Sequence, residues 1–240
     1  MFKEILDIHH KTMPKEKYID AKKDIIAFYI GRPVSDFFTY VCLKFKIRAT
    51  SVSKLSCIST LAALLMFVFV HNKIGAILGY FFVLCWDVMD GIDGTIARYT
   101  DTCSQNGELW DAMGGYLVMP ITYLGMGIVA FYEESLFCIN ISKYSYLIMG
   151  GIAAVCSILP RLLAQKKSNI YGNSSINKIK DKSSWGFVKI FLFNVYSIPG
   201  VAGLLFIIAI VTNTMNIYTV LYTIANLFFT VYSSYSLLKD

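Results

Sequence analysis

The feature that most constrains this chain is a series of long apolar segments, each close to the roughly 20 residues needed to cross a bilayer. Six of them fill most of the sequence after residue 52. A backbone in lipid has to satisfy its own hydrogen bonds, so each segment is predicted to be an α-helix. The expected fold is an all-α integral membrane protein with six transmembrane helices. The segments are 53–70, 74–96, 109–132, 144–163, 186–211 and 216–237.

Composition agrees with a membrane protein and argues against a soluble globular chain. Hydrophobic residues make up 56% of the 240 positions, and the mean hydropathy is +0.56. The six cysteines show no CxxC pair and most lie in apolar runs, so we interpret them as packing thiols. Pro199 and Gly200 interrupt the fifth segment and predict a kink there.

The first 52 residues are expected to form a cytosolic arm and an interfacial helix, and residues 53–240 the six-helix catalytic domain. Residues 1–32 have a weak apolar stripe, typical of a helix at the membrane surface, although a solvated tail is the alternative. Residues 37–47 mix aromatic rings with Lys44 and Lys46. That mixture favours the headgroup layer and predicts an amphipathic helix before the first span.

The distribution of Lys and Arg predicts the orientation. The predicted outer loops hold only Lys73 and Lys143 as basic residues, whereas the other side, including the loop 164–185, is strongly basic. Both termini are therefore expected in the cytosol, with the protein in the plasma membrane, or the inner membrane of a bacterium. This bias and anionic lipid headgroups account for the net charge of +6, so no nucleic acid partner is predicted.

Acidic residues inside the apolar segments are the strongest functional signal. Asp87, Asp90 and Asp93 are spaced three residues apart at the end of the second segment, and Asp111 opens the third. Spacing of three places Asp90 and Asp93 on one helix face. Each unpaired acid would cost roughly 2.5–3.5 kcal/mol at the bilayer centre, so the cluster is expected to face a wet cavity with cations. Oxygen ligands alone favour Mg²⁺ or Mn²⁺ over zinc.

The pattern Asp90-x2-Asp93-Gly94-x2-Ala97-Arg98-x8-Gly107-x3-Asp111 resembles the signature of the CDP-alcohol phosphotransferase family, also called CDP-alcohol phosphatidyltransferases. The resemblance implies six transmembrane helices, a cytosol-facing site and an amphipathic N-terminal helix. It also implies a reaction in which an alcohol acceptor attacks the β-phosphorus of CDP-diacylglycerol or another CDP-alcohol and CMP leaves. Membrane lipids are the implied surroundings, and a homodimer is an expectation that rests on the resemblance alone.

Carried over to this sequence, the resemblance gives the motif residues distinct roles. It makes Asp90, Asp93 and Asp111 ligands of Mg²⁺ or Mn²⁺, with Asp111 also counted as catalytic. Gly94, Ala97 and Gly107 would line the cytidine diphosphate pocket, although small residues also serve helix packing. Arg98 would orient the region or contact phosphate, with a snorkelling interfacial arginine as the alternative.

The sequence departs from the family pattern at three places. The fourth aspartate, which is thought to act as the base, is replaced by Gly115, so Asp87 is our hypothesis for a substitute base, with Glu108 and Asp101 as other nearby acids. The usual Pro-Asn-x-x-Thr survives only as Ala49-Thr50-Ser51-Val52-Ser53. Arg161 resembles a position that holds the acceptor's phosphate or a lipid headgroup, but placement by the positive-inside rule explains it equally well.

Several functions stay open at this level. One enzyme class makes phospholipids from CDP-diacylglycerol, and we favour it narrowly on family frequency. The other transfers a phosphoalcohol to a lipid or a lipid-linked glycan. A non-catalytic CDP-lipid-binding protein is the alternative because of Gly115. A transporter is disfavoured because the acids gather at one end of the bundle.

Overall fold

The computed structural model describes residues 1–137, 139–172 and 186–239, and this part of the chain is helical with no strand. Cys138, and residues 173–185 of the predicted cytosolic loop 164–185, lie outside the described residues. The predicted all-α class is therefore confirmed for the described chain.

The N-terminal arm consists of short helices. These are α1 (Phe2–Thr12), α2 (Lys15–Ala21), a π-helical turn (Ala27–Gly31) and α3 (Arg32–Lys44). A proline near the start of α3 suits a position where a backbone N–H has no helical partner. Helix α1 packs against α3 and buries Ile8 and Thr12, and Met13, directly after the helix, is also buried. The arm is helical, and its place at the membrane surface stays a prediction.

Four helices are long and apolar enough to cross a membrane: α4 (Ala49–Phe69), α5 (Lys73–Tyr99), α6 (Gln105–Tyr132) and α7 (Lys143–Tyr171). They correspond to the first four predicted segments, and each begins before the predicted apolar core. A fifth span exists if a bent pair of helices is counted as one. The described residues thus contain four or five candidate spans, where the sequence predicts six.

The bent pair lies where Pro199 and Gly200 predict a kink. Helix α8 (Phe187–Tyr196) is followed by an extended Ser197, a π-helical turn (Ile198–Ala202) and α9 (Gly203–Thr212). The two parts meet at 49°. Gly200 has non-helical backbone angles, and a Cβ there would lie 2.6 Å from the Asn194 carbonyl oxygen. The predicted kink is confirmed.

The sixth predicted segment is helix α10 (Met215–Leu238), which is long enough to span but is not among the helices that are sufficiently apolar. The reason is a buried polar face that packs against α7. Thr223 Oγ1 donates to the Met149 carbonyl at 3.3 Å, and Thr230 Oγ1 donates to the Cys156 carbonyl at 2.7 Å. Because backbone oxygens accept hydrogen bonds from these hydroxyls, this face of α10 can be buried although the helix has a low mean hydropathy. The sixth span stays a prediction.

The described residues form two compact units, and the predicted boundary at residue 52 stays a prediction. The first unit comprises Met1–Ala62, Phe81–Val118 and 186–203. Its apolar core joins Val52 of α4 to Ile92 and Ile96 of α5, with Cys42 and Leu43 of α3 packed against them.

The second unit comprises Ala63–Tyr80, 119–172 and 204–239, apart from residue 138. Its core is aromatic: Phe206 stacks on Tyr80 with ring centroids 4.6 Å apart and lies 6.2 Å from the Phe67 ring. Gly79 and Gly125 leave room for Phe67, because a Cβ on either would meet that ring within 2.6 Å.

Candidate active site

The site acids are brought together by a tight connection between α5 and α6. Helix α5 ends at Tyr99, and Asp101 takes a left-handed backbone conformation with φ of 51° that turns the chain. Ser104 Oγ then accepts a hydrogen bond from the Gly107 N–H at 3.1 Å, which is an N-cap interaction at the start of α6. Asp111 consequently lies in the second turn of α6 and faces α5.

Asp90 of α5 and Asp111 of α6 are neighbouring acids. The Asp90 carboxyl lies within hydrogen-bonding reach of the Asp111 carboxyl, and the charges of Asp93 and Asp87 also act on it. Asp111 is exposed, whereas Asp90 is only partly accessible. Two carboxyls in contact repel each other when both are ionised, so the pair attracts a proton or a cation.

Asp93 is held separately by a hydroxyl from α4. Ser53 Oγ donates to Asp93 Oδ2 at 2.5 Å, and the Gly94 N–H supplies a backbone hydrogen bond to the same carboxyl. Asp93 is 5% exposed. Sequence reasoning left the contacts of Ser53 open because its motif is degraded. The only sequence signal for this contact was that Ser53 supplies a hydroxyl at the last position of the pattern Ala49-Thr50-Ser51-Val52-Ser53.

Arg98 lies against Gly94, because a Cβ on that glycine would be 3.0 Å from Arg98 Nη1. Both Asp93 and Asp111 act on the Arg98 charge. Arg98 Nε is buried and makes no hydrogen bond to any residue that the structure describes. A buried N–H donor without a partner is costly and is suited to an anionic ligand.

Gly107 and Ala97 are two of the three small residues predicted to line the cytidine diphosphate pocket. Gly107 is partly buried, and a Cβ there would meet Ser104 Oγ at 3.0 Å and Thr50 Oγ1 at 3.6 Å. Ala97, one residue before Arg98, is also partly buried. These positions are consistent with a pocket wall, and the residues' contact with cytidine stays a proposal.

Asp87, the predicted substitute base, has an acidic neighbour that sequence reasoning missed. The charge of Asp24, in the arm between α2 and the π-helical turn, acts on Asp87. Glu108 and Asp101 are exposed. Gly115 lies one turn after Asp111 on α6 and offers no side chain for proton transfer. No sequence signal linked Asp24 to Asp87, since 63 residues of chain separate them.

Arg161 is exposed on α7 and belongs to the second unit, while the acids, Arg98 and the pocket glycines belong to the first. Its proposed contact with the acceptor's phosphate therefore stays a prediction.

The chemistry of the acids fits a hard divalent cation, but their arrangement offers a pair rather than a cage. Asp90 and Asp111 supply adjacent carboxylate oxygens, the donors that Mg²⁺ and Mn²⁺ prefer. Across the described ranges, no three His, Cys, Asp or Glu side chains converge closely enough to hold a metal ion. Asp93 is hydrogen-bonded to Ser53 instead.

Comparison with known proteins adds one finding. The family model for CDP-alcohol phosphatidyltransferase matches residues 49–232. This range begins with the first residue of α4 and contains Asp87, Asp90, Asp93 and Asp111. Neither the curated proteins nor the solved structures compared with the chain give a match.

Proposed function

Because the chain belongs to the CDP-alcohol phosphatidyltransferase family, we propose that it transfers a phosphoalcohol or phosphatidyl group from a CDP-linked donor to an alcohol acceptor. The family indicates phosphatidyl transfer in lipid biosynthesis. In this reaction the acceptor oxygen forms a bond to the β-phosphorus, and the bond from that phosphorus to the bridging oxygen breaks. CMP leaves with the bridging oxygen, and the hydroxyl proton passes to a base.

The observation that carries this proposal is the contact between Asp90 and Asp111 across α5 and α6. Two acids at the end of a membrane-spanning helix are costly unless a cation or a proton lies between them. We assign Asp90 and Asp111 to a site for Mg²⁺ or Mn²⁺. The family resemblance adds Asp93, which Ser53 and Gly94 orient, as its third ligand. Such an ion would neutralise the pyrophosphate and lower the pKa of a hydroxyl bound to it.

The neighbouring residues suit the rest of the donor. Gly94, Ala97 and Gly107 present little side-chain bulk, so the cytidine and its phosphates can approach the helix backbone. Arg98 carries a buried donor without a partner among the described residues, and a phosphate oxygen would supply one. Arg161 is proposed for the acceptor's phosphate or a lipid headgroup on the basis of the resemblance.

Asp87 is our proposal for the base, because Gly115 removes the usual one. Asp87 lies about one turn before Asp90 on the same face of α5, and its charge acts on the Asp90 carboxyl. The comparison of Asp87→Asn with Asp90→Asn tests this role. Full turnover in Asp87→Asn, with none in Asp90→Asn, would exclude Asp87 as the base.

The overall reaction is tested by CMP release from the purified protein in detergent with Mn²⁺. CDP-diacylglycerol is offered with glycerol phosphate, inositol phosphate or serine as acceptor, and soluble CDP-alcohols are offered with a lipid or a lipid-linked glycan as acceptor. We expect CMP with at least one donor, and loss of it in Asp90→Asn. The donor that works also distinguishes phospholipid synthesis from transfer to a lipid-linked glycan, because the motif recognises only the shared CDP part.

Gly115 supports one alternative, a membrane protein that binds CDP-lipids without turnover. Metal-dependent binding of CDP together with no CMP from any donor would favour it. Gly115→Asp separates the two further: it should preserve or raise activity if the usual base geometry survives around residue 115. Loss of activity in Gly115→Asp would show that the site has been rebuilt around another base.

A further inference from the structure

A second arginine, Arg32, is fixed in place at the first residue of α3. Its Nε lies 3.3 Å from Asp36 Oδ1, and its Nη2 donates to Thr12 Oγ1 at 3.2 Å. Asp36 is in turn paired with His9, whose Nδ1 lies 2.7 Å from Asp36 Oδ2. The Arg32 side chain is 13% exposed and that of Asp36 is 4% exposed. Arg32 is thus a largely buried guanidinium that is held by an ion pair and one hydrogen bond, and its Nε, like that of Arg98, has no hydrogen-bond partner within the described residues.

The charge of Arg32 acts on Arg98, as do the opposite charges of Asp93 and Asp111. Arg98 therefore has another cation among its charged neighbours. Two guanidinium groups in a site of low dielectric constant repel each other unless an anion lies near both. Arg98 Nε also lacks a hydrogen-bond partner within the described part of the chain.

Helix α1 makes contacts with both the end of α5 and Arg32. Tyr99, the neighbour of Arg98, donates from its hydroxyl to Asp7 Oδ2 at 2.9 Å. Lys11 Nζ lies 2.9 Å from the same oxygen, and these two contacts hold the pKa of Asp7 below its usual range. Helix α1 therefore contacts the end of α5 through Asp7 and contacts Arg32 through Thr12.

We propose that Arg32 and Arg98 together form an anion site that holds a phosphate group of the substrate. Arg32 lies outside the residues matched by the family model, which begin at residue 49. That the anion is a substrate phosphate rests on the proposed function, whereas the two-arginine site itself does not. The guanidinium fork can bind two phosphate oxygens at once, and a pair of forks suits a diphosphate.

The test removes the Arg32 charge without leaving its buried partner ionised. In Arg32→Gln/Asp36→Asn both members of the pair become neutral, so no orphaned carboxylate remains to unfold the arm. The probe is inorganic pyrophosphate, titrated calorimetrically into purified protein with Mg²⁺. Because the lost contacts are charge-assisted hydrogen bonds, we expect the affinity for pyrophosphate to fall by about tenfold or more. Arg98→Gln should cause a similar loss.

Arg48→Gln is the matched control. Arg48 is exposed in the link between α3 and α4, so this substitution removes the same charge away from the proposed site. Its pyrophosphate affinity should equal that of the wild type. Arg32→Lys keeps the charge and the partner Asp36 but loses the fork, and an intermediate loss is expected. Thermal unfolding of each variant shows that the fold is retained.

Unchanged pyrophosphate affinity in a folded Arg32→Gln/Asp36→Asn protein would overturn the proposal. If that variant does not fold, wild-type affinity in Arg32→Lys would do the same, as would a wild-type protein that binds no pyrophosphate. Failure of the proposed function looks different: no donor gives CMP, while pyrophosphate binding still depends on Arg32.

Discussion

Ser53 orients a site acid through a single hydrogen bond, so its removal should affect activity more than stability. In Ser53→Ala, Asp93 loses its 2.5 Å partner on α4 but keeps the Gly94 N–H. A hydrogen bond to a charged group contributes about 1.5–3 kcal/mol, so we expect CMP release to fall by about tenfold or more. The measurement is CMP release beside the thermal unfolding midpoint in detergent.

Two variants make this prediction specific. Ser53→Thr keeps the hydroxyl and should retain most activity. Ser59→Ala removes a buried hydroxyl from the same helix, where Ser59 Oγ donates to the Phe82 carbonyl at 2.8 Å, and should lower stability without a selective loss of turnover. Equal activity in Ser53→Ala and the wild type would show that Asp93 does not need this partner.

The acids and their partners differ in how far sequence could reveal them. Asp87, Asp90 and Asp93 follow from a three-residue spacing within one helix, so their shared face is a local property. The pairing of Asp93 with Ser53 and the approach of Arg32 to Arg98 depend on helix packing between distant parts of the chain. No spacing rule encodes those contacts. Neither Ser53 nor Arg32 could therefore be assigned a role from the sequence.

At the scale of helices, α6 and α7 cross with their backbones in contact at two glycines. A Cβ on Gly150 would lie 2.9 Å from Gly127 Cα and 3.0 Å from the Tyr123 carbonyl oxygen. Backbone atoms cannot rotate away, so Gly150→Ala has to push the helices apart. We expect it to destabilise the protein by about 1–3 kcal/mol, measured as a lower thermal unfolding midpoint in detergent.

The next residue provides the control. A Cβ on Gly151 would meet nothing within 4 Å, so Gly151→Ala adds the same methyl group to the same helix without a clash. Its unfolding midpoint should equal or exceed that of the wild type. Equal midpoints for Gly150→Ala and Gly151→Ala would contradict the close crossing of α6 and α7.

Glu133, just beyond α6, caps α10 and should make stability depend on pH. Its Oε2 accepts a hydrogen bond from the Met215 N–H at 3.0 Å. Burial raises the pKa of Glu133 to about 7, although Met215 N–H and Lys73 act to lower it. His71, Tyr132 and Glu134 are the other titratable groups around the same cavity of about 200 Å³.

Between the pKa of an unfolded glutamate and pH 7, the folded protein holds a proton on Glu133 that the unfolded chain has lost. Stability should therefore fall as pH rises through this interval and level off above pH 7. Glu133→Gln keeps an acceptor for Met215 but cannot ionise, so its unfolding midpoint at pH 7.5 should equal or exceed the wild-type value. The exposed Glu134→Gln is the control, and an unchanged pH profile in Glu133→Gln would refute the assignment.

Helix positions were largely accessible from hydropathy, and the kink at Pro199 and Gly200 from residue type. Hydropathy was a weaker guide at α10. The apolar pattern predicted a span over 216–237, whereas the buried face of α10 is rich in hydroxyl and amide groups, and two of those hydroxyls donate to backbone carbonyls of α7. A one-dimensional scale treats those side chains as exposed polar groups and cannot include the backbone oxygens that satisfy them.

For the molecule as a whole, the predicted orientation can be tested at Cys103, an exposed thiol in the link between α5 and α6. The positive-inside bias predicts that this link faces the cytosol. In a Cys138→Ser background, a membrane-impermeant maleimide should label Cys103 in inside-out vesicles. Labelling in sealed right-side-out vesicles, with none in inside-out ones, would reverse the predicted topology.

In the proposed site, Asp90 and Asp111 hold a divalent cation that in turn binds a cytidine diphosphate. The most direct measurement is calorimetric titration of CDP into the purified protein, with Mn²⁺ and with chelator, for the wild type and for Asp90→Asn/Asp111→Asn. We predict that the wild type binds CDP only when Mn²⁺ is present and that the double variant does not bind it. Equal CDP affinity with chelator, or in a folded double variant, would contradict the account.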